Sequence, residues 1–224
     1  MLKQQLWKRY LQSWMIQSAK KKMTATSTKQ NFDNFLVLDF EATCERGVQI
    51  VPQEIIEFPC LKISAKTFEI ESQFHRYIRP RSHPNLTAFC HELTGITRDM
   101  VENEPEFPAV LKDFESWLKN ERILESRFAF VTCGDWDLKT MLPEQCRQVG
   151  LSTPEPCLQW INIKKSYNKA MKSYPRHLDA MLTGLGMRFE GRPHSGIDDC
   201  SNIARVLKAL AKRDFVYEFT WKKK

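Results

Sequence analysis

Two acidic residues interrupt the apolar run FLVLDFEATC near the start of the chain. Asp39 and Glu41 are two positions apart, and side chains with this spacing on a β-strand project from the same face. Two neighbouring carboxylates repel each other unless a cation or a proton compensates their charge. A single D-x-E pair is a weak signal, because both acids could simply reach water at the end of a strand. The pair indicates a functional site only if further carboxylates join it in the folded protein.

Two more acids follow a predicted buried strand in the turn CGDWD. Asp137 is the candidate for the same chemistry, whereas Asp135 could cap the helix that follows. The choice between the two is open from spacing alone.

A fourth carboxylate and a histidine lie close together near the end of the chain. His194 is flanked by proline, serine and glycine, which predicts a loop. Ser195 and Asp198 have the spacing of a capping box at the start of a helix. This explanation of Asp198 leaves Asp199 without a structural role and makes it the functional candidate. A histidine on a loop is often only solvated, so His194 is informative only together with the carboxylates.

These candidates must be brought together by elements that are far apart in the sequence. Alternating apolar residues and turn signals predict strands over 35–44, 55–64, 72–79 and 127–133. Apolar spacing of three and four residues predicts helices, one of them beginning near Arg98 in the otherwise irregular segment 86–103, and the others over 107–119, 136–149, 160–171, 177–185 and 196–213. This order of strands and helices predicts one mixed α/β domain.

The three acidic motifs resemble those of a known enzyme family. LDFEATC (38–44), CGDWDLKTML (133–142) and RPHSGIDDCSNIAR (192–205) resemble, in order, the three motifs of DEDDh 3′→5′ exonucleases. ELTGIT (92–97), WINIKKSY (160–167) and LGMRFEGRPHSGIDD (185–199) are similar to those of its enhanced-RNAi branch, the histone-mRNA 3′-end exonuclease-like or Snipper-like family. The resemblance implies an RNase H-like exonuclease fold, with a mixed central sheet flanked by helices in a single domain.

The resemblance also implies roles for the acidic residues and the histidine. Asp39, Glu41, Asp137 and Asp199 would hold the metal, with Glu41 and His194 as the catalytic residues. Four carboxylates without a cysteine form an all-oxygen site, which favours two Mg²⁺ ions, with Mn²⁺ as a substitute. His194 would act as general base, because a histidine titrates near neutral pH.

Substrate contacts also follow from the resemblance. Glu41 and the backbone at Ala42 would meet the terminal ribose. Aromatic and apolar side chains would pack on the terminal bases, since stacking tolerates any sequence. The expected substrate-binding set is Phe40, Ala42, Phe89, Leu93, Thr94, Trp136 and His194. For Phe89, Leu93 and Trp136, ordinary core packing is an equally open interpretation.

The net charge of +7 is unevenly distributed over the 224 residues. Residues 1–32 contain seven basic residues and no acid, which leaves the remainder neutral. The basic pI is therefore no proof of a nucleic-acid-binding domain. Segment 164–192 has seven basic and two acidic residues, and we expect it to follow the substrate backbone. Segment 99–121 has seven acids and two lysines, which indicates a solvated helix face.

The first 22 residues have the pattern of a basic amphipathic helix, followed by a polar linker. A mitochondrial transit peptide, a helix for a partner or membrane surface, and a nucleic-acid arm remain open. No apolar run reaches the ~20 residues of a membrane span. Seven dispersed cysteines without a C-x-x-C pair predict reduced thiols in an intracellular protein of the cytoplasm or nucleus, or of mitochondria if the transit peptide is real. We expect a head and linker over 1–32, a nuclease domain over 33–214 and a C-terminal tail over 215–224.

The expected function is therefore a metal-dependent 3′→5′ exoribonuclease that releases 5′-nucleoside monophosphates. RNA is the expected partner, and DNA is also acceptable to the wider superfamily. Two alternatives remain: a 3′→5′ DNA exonuclease, and a catalytically idle adaptor that only binds nucleic acid. The sequence leaves the oligomeric state undetermined.

Overall fold

The computed structural model describes residues 29–222, so the helix predicted over 1–22 lies outside the described residues. The strands are β1 (Asn34–Leu38), β2 (Glu41–Ala42), β3 (Ile55–Ser64), β4 (Ile70–Tyr77), β5 (Phe128–Thr132), β6 (Gln159–Asn162) and β7 (Trp221–Lys222). The α-helices are α1 (Ala88–Thr94), α2 (Arg98–Val101), α3 (Phe107–Asn120), α4 (Leu142–Gln148), α5 (Ile163–Met171), α6 (Leu178–Gly184) and α7 (Gly196–Ala211). A π-helical turn, Asp137–Met141, precedes α4, and 3₁₀ turns cover Ile123–Glu125 and Glu155–Leu158.

All strands belong to one mixed sheet with the order β2-β3-β1-β5-β6-β7, and β4 pairs with β3. Strand β1 is antiparallel to β3 and parallel to β5, which is in turn parallel to β6. Because β1 and β5 are parallel, their carboxyl ends lie at the same edge of the sheet. Residues that follow these two strands are therefore neighbours.

Each face of the sheet is covered by helices, as the alternation along β1 requires. Phe35 and Val37 pack with α5, α6 and α7 on one face. Leu36 and Leu38 pack with α3 and α4 on the other face. This three-layer arrangement, a mixed central sheet flanked by helices, confirms the predicted fold class. The helices predicted over 107–119, 177–185 and 196–213 are confirmed as α3, α6 and α7.

The prediction of a helix over 160–171 is wrong for its first residues. Gln159–Asn162 is strand β6, and the helix begins at Ile163. Trp160 and Ile161 pair with β5 and are fully buried. This pairing with a distant strand outweighs the local helical spacing. Asn162 ends the strand and caps α5 by accepting a hydrogen bond from the Lys164 N–H (3.0 Å).

The strand predicted over 35–44 is interrupted at its two central residues. β1 ends at Leu38 and β2 resumes the same register against β3, since Leu38 pairs with Cys60 and Glu41 with Glu57. In this register Pro59 lies opposite the break, and proline has no N–H for a ladder. The interruption separates Asp39 and Phe40 from the ladder.

Helix α1 lies within the segment 86–103 that the sequence left irregular. Thr87 caps it by accepting from the Cys90 N–H, and Gly95 ends it in the left-handed conformation (φ 76°). The helix predicted near Arg98 is α2, only four residues long.

The segment predicted as a C-terminal tail packs on the core over residues 215–222. Tyr217 is fully buried and its hydroxyl donates to the Leu207 carbonyl (2.8 Å). Trp221 stacks on Trp160 with 4.1 Å between ring centroids. Residues 29–222 contain no helix both long and apolar enough to cross a membrane. All seven cysteines are free thiols.

Candidate active site

The four candidate carboxylates lie at the edge of the sheet where β1 and β5 end. Asp39 follows β1, Glu41 lies in β2, and Asp137 begins the π-helical turn after β5. Asp199 lies in the first turn of α7, whose first amides donate to Glu57 of β3. Elements spread over 160 residues of sequence thus bring the predicted metal ligands together. The π-helical turn at Asp137 is a form that occurs frequently at functional sites.

Three of these carboxylates are buried, Asp39 is half-buried, and all four are close enough to raise one another's pKa. Glu41, Asp137 and Asp199 are 9, 4 and 8% exposed. Burial, with the nearby charges of Asp199, Glu57 and Asp137, raises the pKa of Glu41 to about 9. Burial, together with the charges of Asp137, Asp199 and Glu41, raises the pKa of Asp39 well above its ordinary value. The metal-free site therefore retains protons at neutral pH that isolated carboxyl groups would have lost, because its surroundings do not compensate four negative charges.

Hydrogen bonds limit the rise in pKa at two of the carboxylates. Burial raises the pKa of Asp137 to about 6, while the Phe40 N–H, which donates to Oδ1 at 2.9 Å, opposes the rise. Burial likewise raises the pKa of Asp199 to about 7, against the hydrogen bond from the His194 N–H to Oδ2 (2.9 Å). Among residues 29–222, no lysine or arginine forms an ion pair with any of the four candidate ligands. The compensating charge has to come from protons or from bound cations.

Asp135, the alternative to Asp137, has quite different surroundings. Its Oδ1 accepts from Trp160 Nε1 (2.9 Å) and its Oδ2 pairs with Lys165 Nζ (2.7 Å). Partial burial raises its pKa, but these hydrogen bonds outweigh that effect and the pKa is lowered. Asp135 is a structural ion-pair partner, and the geometry favours Asp137 as the metal ligand.

His194 lies above the carboxylates on the loop before α7. It is exposed and its backbone has a positive φ of 62°, which is uncommon for a residue other than glycine. One ring nitrogen of His194 and one carboxylate oxygen each of Glu41 and Asp199 lie within 4.8 Å of one another. The histidine is thus within reach of a water molecule or phosphate oxygen held at these carboxylates.

A family model described as exonuclease (RNase T) matches residues 36–207. The chain belongs to this exonuclease family. Among its relatives, ERI1 exoribonuclease 3 of Homo sapiens is 52% identical over 196 residues, which are 86% of this chain and 58% of the relative. The 3′-5′ exoribonuclease 1 of Mus musculus is 43% identical over 180 residues, 78% of this chain and 52% of the relative. The chain therefore spans between half and three-fifths of these curated relatives.

Solved structures support the same membership. The nuclease domain of 3′hExo, a DEDDh family member bound to rAMP, has a TM-score of 0.83 and 39% identity, covering 86% of this chain and 98% of that domain. A 3′-exonuclease in a structure of 3′-end-specific recognition of the histone mRNA stem-loop has a TM-score of 0.85 and 35% identity, covering 97% of this chain and 76% of that one. The resemblance stated from the motifs is confirmed.

Exonucleases of this DEDDh family depend on divalent cations, and the carboxylates of this chain fit such ions. Their ligand atoms are all oxygens, which suits hard cations. Burial has already removed most of the surrounding water from three of them. A divalent cation would neutralise the negative charge that makes these carboxylates repel one another.

The expected substrate-binding residues of this chain divide into two groups. Phe89 and Leu93 are half-buried on α1, and Trp136 is 41% exposed beside Asp137. These three side chains are accessible. The Phe40 ring instead packs edge-on against Phe58 in the core (4.7 Å between centroids).

Thr94 and Ala42 are buried and serve the local structure. The Thr94 hydroxyl donates to the Cys90 carbonyl (2.8 Å) and accepts from the Ile96 N–H (3.1 Å). Ala42 is 6% exposed and its carbonyl accepts a weak hydrogen bond from the Cys90 thiol (3.8 Å). The Thr94 side chain thus stabilises the end of α1, and the Ala42 carbonyl links β2 to α1.

The capping box predicted at Ser195 and Asp198 is not formed. The Ser195 side chain makes no capping bond, and Asp198 accepts instead from the Arg192 N–H (2.9 Å). The first amides of α7 donate to Glu57 of strand β3. Glu57 of β3 therefore takes the capping role that was predicted for Ser195 and Asp198.

Near the site, the role of Glu57 was missed from the sequence, and Arg192 was expected only as part of the basic segment 164–192. Glu57 is the only charged residue among the first seven of β3, in IIEFPCL, and this isolated charge was the available signal. Arg192 extends from the His194 loop to α1, where its guanidinium donates to the Glu92 carbonyl (2.8 Å). Its guanidinium lies so close to Gly95 that a Cβ there would be 2.3 Å from an Arg192 nitrogen. No local pattern could have predicted that contact.

Proposed function

We propose that this protein is a metal-dependent 3′→5′ exoribonuclease that releases 5′-nucleoside monophosphates from RNA. The observation that carries the proposal is a group of four carboxylates, three of them buried, that form no ion pair with a lysine or arginine among residues 29–222, with His194 beside two of them. Family membership and the exoribonuclease relatives support the same activity. The activity of the whole protein is a proposal, because the chain spans only part of those relatives.

Asp39, Glu41, Asp137 and Asp199 would hold two Mg²⁺ ions, for which Mn²⁺ could substitute. Such ions, when bound, stabilise the attacking and leaving oxygens of a phosphodiester during in-line displacement. The chain supplies rigid positions for the ligands, since Phe40 fixes Asp137 and the His194 amide fixes Asp199.

His194 would act as the general base. Its imidazole would accept a proton from the attacking water, and its exposed loop lets the ring approach a bound 3′ end. The hydrogen bond from its own N–H to Asp199 keeps the loop close to the metal ligands. The proton acceptor and one ligand are therefore positioned by the same contact.

The accessible side chains near the site would bind the 3′-terminal nucleotides. Phe89, Leu93 and Trp136 offer apolar surfaces on which bases can stack without regard to sequence. Glu41 and the Ala42 backbone would meet the terminal ribose, whose 2′-hydroxyl distinguishes RNA from DNA. We propose no side-chain contact for Phe40 or Thr94, because both are buried and engaged elsewhere.

The basic segment 164–192 would follow the phosphate backbone upstream of the scissile bond. Lys172, Arg176 and Arg188 are exposed, and lysine and arginine contacts to phosphates supply affinity independent of sequence. Lys165 and Lys169 are partly neutralised by Asp135 and Glu218. Lys172, Arg176 and Arg188 would therefore contribute most.

The proposed cellular location is the cytoplasm or nucleus, because seven free thiols are typical of a reducing compartment. Mitochondria are the alternative if residues 1–22 act as a transit peptide. Imaging the full chain and a chain lacking residues 1–22, each with a fluorescent tag, would distinguish these locations.

The test compares RNA and DNA of one sequence, each labelled at the 5′ end and incubated with the full chain and Mg²⁺. We expect RNA to shorten stepwise from the 3′ end and to release 5′-monophosphates. EDTA or a 3′-terminal block should stop this digestion. Faster digestion of DNA would support the DNA exonuclease instead. Binding without cleavage would support an adaptor, and internal cuts would contradict every exonuclease interpretation.

A further inference from the structure

Glu57 is a buried carboxylate that belongs to none of the roles described so far. It lies in β3 opposite Glu41 and is 1% exposed. Its Oε2 accepts from the Gly196 N–H (3.0 Å), and its Oε1 accepts from the Ile197 N–H (3.3 Å) and lies 2.8 Å from His75 Nε2. A buried charge in an apolar strand is costly unless it is paired. These three contacts satisfy both of its oxygens.

The amides that Glu57 holds are the first two of α7. Asp199 follows two residues later, and its carboxylate in turn accepts the His194 N–H (2.9 Å). The segment from His194 to Asp199 is therefore attached to the sheet through Glu57. Because the helix N-terminus carries partial positive charge, a carboxylate is well suited to this contact.

The approach of α7 to the sheet is close at this point. A Cβ at Gly196 would lie 2.8 Å from the Asp39 carbonyl oxygen and 3.2 Å from Glu57 Oε2. The helix thus begins against the backbone of one metal ligand and carries another. A small displacement of its first turn would change the separation of Asp39 and Asp199.

We propose that Glu57 is a positioning residue of the active site, whose carboxylate holds the first turn of α7 and so fixes Asp199 and His194 relative to Asp39 and Glu41. It does not bind the metal itself, because its oxygens are occupied by the α7 amides and His75. Partners that orient ligands in this way typically change metal affinity or activity by about 10–100-fold when they are removed. The catalytic part of this inference rests on the proposed exonuclease activity.

The test uses the full chain with Glu57→Gln. Glutamine keeps the shape of the side chain but has one acceptor oxygen, so one of the Gly196 and Ile197 amides loses its partner. We expect kcat on RNA to fall by about tenfold or more while KM stays within about twofold. Mn²⁺ affinity, measured calorimetrically without RNA, should weaken by a similar factor.

Glu54→Gln is the matched control. Glu54 is also buried (5% exposed) and also accepts backbone amides, from Arg81, Ser82 and His83, but these belong to a loop that carries no site residue. We expect Glu54→Gln to lower the melting temperature comparably and to leave kcat and Mn²⁺ affinity within about twofold of the unmodified chain. A merely structural role for Glu57 predicts the same outcome for both variants.

Hydrogen exchange of the metal-free protein provides a readout independent of catalysis. Glu57→Gln should accelerate exchange in the peptide 192–199, whereas Glu54→Gln should accelerate it near residues 81–83. Unchanged exchange in 192–199, or a loss of kcat no larger than that of Glu54→Gln, would overturn the inference. If the unmodified chain digests no RNA, the proposed function fails, and Mn²⁺ affinity together with exchange still decides the role of Glu57.

Discussion

The proposed active site consists of two regions built on opposite principles. We call Asp39, Glu41, Asp137 and Asp199 the site floor, and Phe89, Leu93, Trp136 and His194 the site rim. Most of the floor is buried at the edge of the sheet, and its pKa values are raised. The rim lies on α1 and on loops and is more exposed. The floor concentrates charge in a rigid frame, whereas the rim presents side chains that can adjust to a substrate.

This difference teaches where stability and function conflict. Each floor carboxylate is expensive for the folded metal-free protein, because buried like charges repel one another. The rim carries no such cost, since its exposed side chains keep access to water. Floor substitutions should therefore remove activity while relieving the fold, and rim substitutions should reduce activity with little effect on stability.

The largest effect is expected for a substitution of Asp137. The control is the same substitution at Asp135, two residues earlier. Asp137→Asn should reduce RNA cleavage by at least about 10⁴-fold, because a metal ligand is lost while the amide can still accept the Phe40 N–H. Asp135→Asn should retain activity within about tenfold, since it breaks only the contact with Lys165. Single-turnover digestion of labelled RNA measures both. Equal losses would remove the distinction between the floor and its surroundings.

The second effect concerns His194 on the rim. His194→Ala should lower kcat by ~10²–10⁴, as expected for a lost general base. Its melting temperature should change little, because the side chain is exposed. Mn²⁺ titration separates this role from metal ligation, which the 4.8 Å grouping with Glu41 and Asp199 would also permit. A tenfold weaker Mn²⁺ affinity would indicate that His194 is a metal ligand, like the residues of the site floor.

The floor was predictable from the sequence, because its residues stand out chemically. Asp39 and Glu41 interrupt an apolar run, and resemblance to the exonuclease motifs selected Asp137. Asp199 was selected by the same resemblance and by a capping role for Asp198 that the structure does not form. The break between β1 and β2 was not predictable. It depends on the Phe40 N–H leaving the ladder for Asp137, a contact over 97 residues of sequence.

The contacts behind the site were less predictable than its residues, because tertiary partners decide them. Local spacing could not identify Trp160 as part of a strand, since its partner Phe130 lies thirty residues earlier. The cap of α7 comes from Glu57 rather than from the adjacent Asp198. In each case the sequence offers a plausible local interaction, and the folded chain replaces it with a distant one.

The third effect tests whether the rim binds bases. Trp136→Ala should raise KM for RNA about 5- to 150-fold at nearly constant kcat, because base–aromatic stacking contributes ~1–3 kcal/mol per base. Leu124→Ala is the control, since Leu124 is similarly exposed (44% against 41%) but lies in the 3₁₀ turn that precedes β5, whereas Trp136 follows the other end of that strand. Initial rates over a range of RNA concentrations measure both variants. An unchanged KM for Trp136→Ala would leave that side chain without a binding role.

The smallest effect is a pH dependence of the stabilisation by metal. The pKa of Glu41 is raised to about 9 and that of Asp199 to about 7, so the folded metal-free protein binds more protons than the unfolded chain between about pH 4 and 9. The contribution of these two groups to the stability of the metal-free protein is therefore greatest at low pH and is lost as the pH rises through this range. Because Mg²⁺ replaces those protons, the gain in melting temperature over EDTA should increase from about pH 5.5 to about pH 8.5, by a few degrees.

Two variants decide whether this pH dependence belongs to the floor. Asp39→Asn removes one of the repelling charges, so it should raise the metal-free melting temperature at the higher pH and flatten its fall with pH. Trp136→Ala should keep the dependence of the unmodified chain, because the rim adds no buried charge. Thermal unfolding of the three proteins with EDTA and with Mg²⁺ measures these differences. If the gain from Mg²⁺ were the same at both pH values, the floor carboxylates would already be compensated within the protein, and the contrast between floor and rim would reduce to one of exposure.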